Sequence, residues 1–276
     1  MRIDAHQHFW KVDRGDYGWI TPALPALYRD YLPEDLLPHL KEHRLGGTIV
    51  VQAATTLEET DYLLSLADLE DSILGVVGWI DVNEDDYVKH AERFLNHSKC
   101  VGFRIMIQEM ADANRILEPN YVEAFKWFAK KEIPIDLLVV SHQLEPLIQL
   151  LDQVPDLHGV IDHIAKPRIA DQAREPWATQ MKELAKHPNL YCKLSGMVTE
   201  ADHKQWKPAD FTYYIQHVLE LFGSQRVMFG SDWPVCLLAA SYDQVMDVLL
   251  EAIPEHWSDE DKERLFGLNA KEFYRC

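Results

Sequence analysis

The sequence predicts an α/β protein, a (β/α)8 TIM barrel, and three observations carry that expectation. Short apolar, β-branched runs alternate with longer segments of helical period along the 276 residues. Eight such runs can be marked, more than a doubly wound sheet usually carries. No glycine-rich phosphate turn follows the first run, so the usual signature of the doubly wound alternative is missing.

The elements follow in order. "RIDAHQ" is the first strand, and "PEDLLPHLKEHR" after it has apolar residues at helical intervals of three and four. "GTIVVQA" and "LEETDYLLSLADLED" repeat the unit, as do "ILGVVGWID" and "EDDYVKHAERF", the latter with an acidic, solvated face. "CVGFRIM" precedes "NYVEAFKWFAKKE", "IPIDLLVV" precedes "QLEPLIQLLDQV", and "GVIDHIA" precedes "PWATQMKELAKH". "NLYCKLSG" leads to "DFTYYIQHVLELFG", and "RVMFGSD" is the eighth strand. The extra C-terminal helix, "SDEDKERLFGLNAKEFYRC", starts at a Ser258 N-cap with acids in its first turn, and its "GLNA" step is expected to break it in two.

An apolar fraction of 47% supports a large core, and no linker, repeat or low-complexity tract marks a seam, so residues 1–276 are expected to form one domain. A formal charge of -18 without any Lys/Arg run argues against nucleic acid and anionic membrane as partners. No apolar run reaches spanning length and no secretory leader pattern opens the chain, so a soluble, cytoplasmic protein is expected. Cys100, Cys192, Cys236 and Cys276 have no close-pair spacing and are read as free thiols, Cys236 as a packed one.

In such a barrel the chemistry sits at the C-terminal ends of the strands. There the sequence places His6 and His8, Arg104, Asp136, Asp162 and His163, Lys193 and Asp232. The spacing of His6 and His8 turns both imidazoles to one side of a strand. Asp232, in "GSDWP", closes the last strand, which neighbours the first after closure. Two imidazoles and a carboxylate make a first shell for a single Zn²⁺ with open positions, or a metal-free proton-transfer site. Alternation along the strand puts Asp162 opposite His163, bracing the barrel.

"DAHQHFW", "GFR", "DHIAKP", "KLSG", "GSDWP" and "NAKEFY" together resemble the amidohydrolase superfamily, its amidohydrolase-2 group, and within that the branch of sugar-lactone and pyrone-dicarboxylate lactonases. The resemblance runs from residue 4 to residue 274 in the family's order. It implies a barrel hydrolase with His6, His8, His163 and Asp232 at the family's motif positions. Metal-using relatives add a histidine or carboxylated lysine from strand four or five; here those strands offer Arg104 and Asp136, which speaks against a two-metal site.

The activity expected is the opening of a sugar lactone, an aldono-1,4-lactone such as that of L-fucose or L-rhamnose, to its aldonic acid. Asp232 would activate water, and His6, His8 and His163 would polarise the carbonyl or hold one divalent metal, itself dispensable in this branch, with no organic cofactor. Arg104, Lys193, Trp233 and His142 are the candidate substrate contacts, Lys193 being equally readable as a salt-bridge partner of Asp136 or Asp232, and His142 more readily as a helix-start residue. Trp233 is preferred over Trp10, Tyr17 and Trp19 as the aromatic wall. With only Arg104, Lys193 and Arg168 as nearby cations, a neutral five-membered lactone is favoured over a di-acid. The alternatives are a zinc-dependent decarboxylase of the same superfamily and a non-catalytic ligand-binding barrel. The sequence does not settle the oligomeric state.

Overall fold

The computed structural model describes residues 1–276. In chain order its elements are β1 (Arg2–Gln7), α1 (Pro33–Glu42), β2 (Leu45–Val51), α2 (Leu57–Leu69), β3 (Ile73–Gly78), α3 (Tyr87–Leu95), β4 (Cys100–Met106) and α4 (Pro119–Lys130). They continue as β5 (Ile135–Leu138), α5 (Leu144–Gln153), β6 (Gly159–Ile161), α6 (Trp177–Leu184), β7 (Leu190–Leu194), α7 (Pro208–Phe222), β8 (Val227–Phe229) and α8 (Tyr242–Ala252), then α9 (Asp259–Glu263) and α10 (Asn269–Tyr274). The eight strands pair in sequence order, all parallel, with the helices outside: a (β/α)8 barrel. Helix α8 lies outside the stretches expected from the sequence, although Val245, Met246, Val248 and Leu249 carry the period. No helix is long and apolar enough to cross a membrane.

Strands buried on both faces sort their side chains into two cores. Ile3, Ala5, Ile49, Val51, Val77, Val101, Val160 and Met228 point inward and pack on Ala270, Phe273 and Tyr274 of α10. The C-terminal segment therefore plugs the bottom of the barrel. It is capped by Ser258, whose Oγ accepts from Asp261 N at 3.2 Å, and it breaks around Gly267. The outward residues, such as Val50, Phe103, Ile135 and Phe229, join the larger core under the helices.

Closure joins the first strand to the segment after the last. Asp232 N donates to His6 O and His8 N to Trp233 O, both at 2.8 Å. Asp4 completes the seam by accepting from Ser231 N at 2.9 Å, Ser231 Oγ at 2.6 Å and Tyr242 OH at 2.9 Å. Asp4 and His6 would share a face of a regular strand, yet Asp4 faces α8 and His6 faces the barrel axis. The register shift between Asp4 and Gln7 is the reason: a bulge adds one residue to β1 and turns the strand over before the two histidines.

Asp4→Ala leaves Ser231 and Tyr242 buried without their acceptor, and is expected to lower unfolding free energy by about 3 kcal/mol. Urea unfolding followed by circular dichroism measures it; a loss under about 1 kcal/mol would show that the backbone bonds hold the seam unaided.

Candidate active site

The site forms where β1, β6, β7 and β8 end. His6 and His8 leave the bulged strand on the same side, and Asp232, at a φ of 56°, turns its carboxylate back toward them. Asp232 Oδ1 lies 3.3 Å from His8 Nε2, 3.9 Å from His6 Nε2 and 3.9 Å from His163 Nε2. Three imidazoles expected at the mouth are thus brought around one oxygen of the expected carboxylate.

His163 arrives by a different route from the one alternation suggests. β6 ends at Ile161, which faces the helices, so the next residue, Asp162, is the one pointing inward. Positive φ at His163, Ile164, Ala165 and Lys166 then winds the chain left-handed and swings His163 into the mouth as well. This corrects the expectation that Asp162 faces away: its Oδ1 lies 3.2 Å from both His6 Nδ1 and Lys193 Nζ. Two glycines make the room. A Cβ on Gly196, at φ 59°, would lie 2.5 Å from His163 Nδ1, and one on Gly230 would lie 2.6 Å from His6 Cβ.

Beneath the imidazoles is a layer of buried charge. Lys193, with no exposed surface, ion-pairs with Asp136 and contacts Asp162, and Tyr274 OH donates to Asp136 Oδ1 at 2.6 Å. Burial pushes Asp136 up to about 6, against the pull of Lys193. Burial would raise Asp162 too, but Lys193 and then His6 outweigh it and hold Asp162 well below the ordinary carboxylate range. Arg104 reaches the same layer, Nη1 standing 3.5 Å from Asp162 Oδ2 and Nη2 donating to Gln52 O.

Burial also fixes the charge states above. It lowers His6 and His163 well below the usual histidine value. Burial alone would raise Asp232, but His163 and His8 outweigh it and the carboxyl ends below its ordinary value. His8 Nδ1 donates to Val51 O at 2.7 Å, and Nε2 faces Asp232 Oδ1 at 3.3 Å. His6 Nε2 beside them is buried without a partner. The donor atoms of His6, His8 and Asp232 lie within 4.8 Å of one another and fit a divalent ion. His6, Asp162 and His163 form a second such group, but there the Lys193 ammonium already supplies positive charge.

A cavity of about 260 Å³ opens over these groups. His8, His163, Asp232 and Arg104 line it, as do Trp19, Met106, Lys166 and Thr199. The other expected contacts lie elsewhere. Lys193 is sealed under His6; Trp233 is buried against Phe9 and Tyr31, its backbone being needed for the seam; His142 lines a separate surface cavity with Asp112 and Asn114. The aromatic wall is Trp19, whose Nε1 donates to Ala53 O at 2.8 Å. Trp19, Lys166 and Thr199 come from loops, whose placement no strand pattern shows.

A barrel with imidazoles and a carboxylate converging at the C-terminal mouth defines a class of hydrolytic enzymes built for water activation at a carbonyl or phosphoryl centre. The amidohydrolase family model matches residues 3–276, and the chain belongs to that family. It is 38% identical to L-fucono-1,5-lactonase of Burkholderia multivorans, covering 99% of this chain and 96% of the other. The L-fucono-1,5-lactonase of Burkholderia ambifaria is 37% identical, covering 100% and 96%. Among solved structures, an amidohydrolase from Burkholderia multivorans with bound zinc superposes with a TM-score of 0.92 at 38% identity, covering 100% of this chain and 99% of the other.

Lys193→Met would strand Asp136 and Asp162 without their counter-charge, and is expected to destabilise the fold by about 3–5 kcal/mol. Chemical denaturation tests this; a change within about 1 kcal/mol would show that Arg104 and Tyr274 compensate.

Proposed function

We propose that this protein opens a neutral sugar lactone to its aldonic acid, with Asp232 as the base that activates water. Full-length similarity to two L-fucono-1,5-lactonases supports lactone hydrolysis. The observation that carries the substrate class is the pairing of the pocket's cations: Arg104 lies 3.5 Å from Asp162, and Lys166 lies 3.9 Å from Glu200. Neither is left over for a second carboxylate, so a pyrone di-acid would meet no unpaired charge. Arg168, the third cation near a strand end, is exposed and faces Asp171 at 3.7 Å.

The charge count favours neutrality and says nothing of ring size. The relatives' names favour a six-membered 1,5-lactone over the five-membered ring, and that is the ring proposed. Met106, Leu138 and Val235 give the cavity an apolar side suited to a deoxy sugar's methyl group.

The reaction needs a nucleophilic water, stabilisation of the carbonyl oxygen and a proton for the ring oxygen. Asp232, ionised because His163 and His8 outweigh its burial, takes a proton from water as the oxygen bonds to the carbonyl carbon. His163, whose Nδ1 can accept from Ser195 Oγ and so leave Nε2–H toward the cavity, is the donor for the developing oxyanion and needs little reorganisation, while Arg104 binds the lactone's hydroxyls. When the carbon to ring-oxygen bond breaks, His163, held through Nδ1 by Ser195 Oγ at 2.9 Å, is placed to relay a proton to the leaving alkoxide. A zinc ion held by His6, His8 and Asp232 would add a Lewis acid that polarises the carbonyl. The barrel's own donors already occupy that role in part, so activity is proposed to survive metal removal at a reduced level.

Acid release measured with a pH indicator should be greatest with L-fucono-1,5-lactone, lower with the 1,4-lactones and absent with pyrone-dicarboxylate lactone. Asp232→Asn should lower kcat by about a thousandfold with the fold intact. Turnover of no lactone, or full activity in that variant, would overturn the reading. Because Asp232 sits below its ordinary value, kcat should stay level as pH falls from about 8 to about 5 and drop only as Asp232 takes up its proton.

A further inference from the structure

Helix α2 begins with an altered capping box. Thr56 Oγ1 accepts from Glu59 N at 3.1 Å, as an N-cap should, and the Glu three residues on would normally return to the N-cap amide. Glu59 reaches further back instead. Its Oε1 accepts from Ala53 N and its Oε2 from Ala54 N, both at 2.8 Å. The segment it grips carries two groups of the substrate pocket: Gln52 O receives Arg104 Nη2, and Ala53 O receives Trp19 Nε1. Glu59 itself is wholly buried and does not line the cavity.

We propose that Glu59 is a positioning residue for substrate: by anchoring the Ala53 and Ala54 amides it orients Arg104 and Trp19, so that affinity for the lactone depends on its carboxylate. This rests on the lactonase reading for its substrate, though not for its structural half. The charged and titratable groups facing Glu59 are Arg104 from β4, Tyr17 from the segment after β1, and Tyr62 on α2 with Arg14 over its ring. Burial pushes the carboxyl up to about 7, against the two amides and Arg104. Ionised, both oxygens accept an N–H. Protonated, one becomes a donor facing a donor, and a bond is lost.

Glu59→Gln makes the same exchange permanently. It is expected to raise KM about tenfold, the worth of one hydrogen bond to a charged group, with kcat within about twofold. Wild-type KM should rise as pH falls below about 7, and in the variant that dependence should vanish. Hydrogen exchange, corrected for intrinsic rates, reads the anchor without turnover: protection of residues 52–56 should fall from about pH 8 to about pH 6 in the wild type and be low at both in the variant. A KM that ignores the substitution, or a fall in kcat in its place, overturns the proposal. So does exchange in 52–56 that ignores pH, and this wild-type measurement decides the matter if the variant does not fold. Should exchange behave as expected while no lactone is turned over, the substrate assignment fails and the anchor stands.

Discussion

The contact between Asp4 and the Ser231–Trp233 segment is the constraint on which the mouth of the barrel depends, because it makes the first strand and the last act as one piece. Asp232 N bonds to His6 O and His8 N to Trp233 O within the same few residues. Three groups of the site therefore inherit their separations from a backbone ladder, which is stiffer than any set of side-chain contacts. The bulge in β1 lets one short strand do both jobs, sending Asp4 out to the seam and His6 in to the site.

Below the imidazoles, Lys193, Asp136, Asp162 and Arg104 set positive against negative charge in a buried layer. Such a layer gives little net stability over an apolar one and is costly to disturb. Its value here is positional. His6 is gripped through Nδ1 by that layer, and its Nε2 is left facing Asp232. Tyr274, sent up from the C-terminal plug, ties the same layer to the bottom of the barrel.

The architecture was legible because burial on both faces of each strand and one face of each helix writes a simple period into the chain. The principal cluster was legible for a related reason: strand ends are few, and His6, His8 and Asp232 stand at them. What escaped depends on departures from the period. The left-handed run at 163–166 inverts the reading of Asp162, and Trp233 gives its backbone to the seam while its ring turns into the core. Trp19 and Lys166 sit on loops and have no register to be read from. Glu59 was the recoverable omission, since Thr56 followed by Glu59 is a capping pattern in plain view.

The Asp4 to Ser231 contact spans 227 positions of sequence. Closing so long a loop has a large entropic cost before any contact rewards it, so this juncture belongs among the late events of folding. A chain that has built most of its strands and helices still has its two histidines and its aspartate on opposite edges of an open sheet. Secondary structure and catalytic power therefore need not return together on refolding, and enzyme activity becomes a direct clock for the final ring closure.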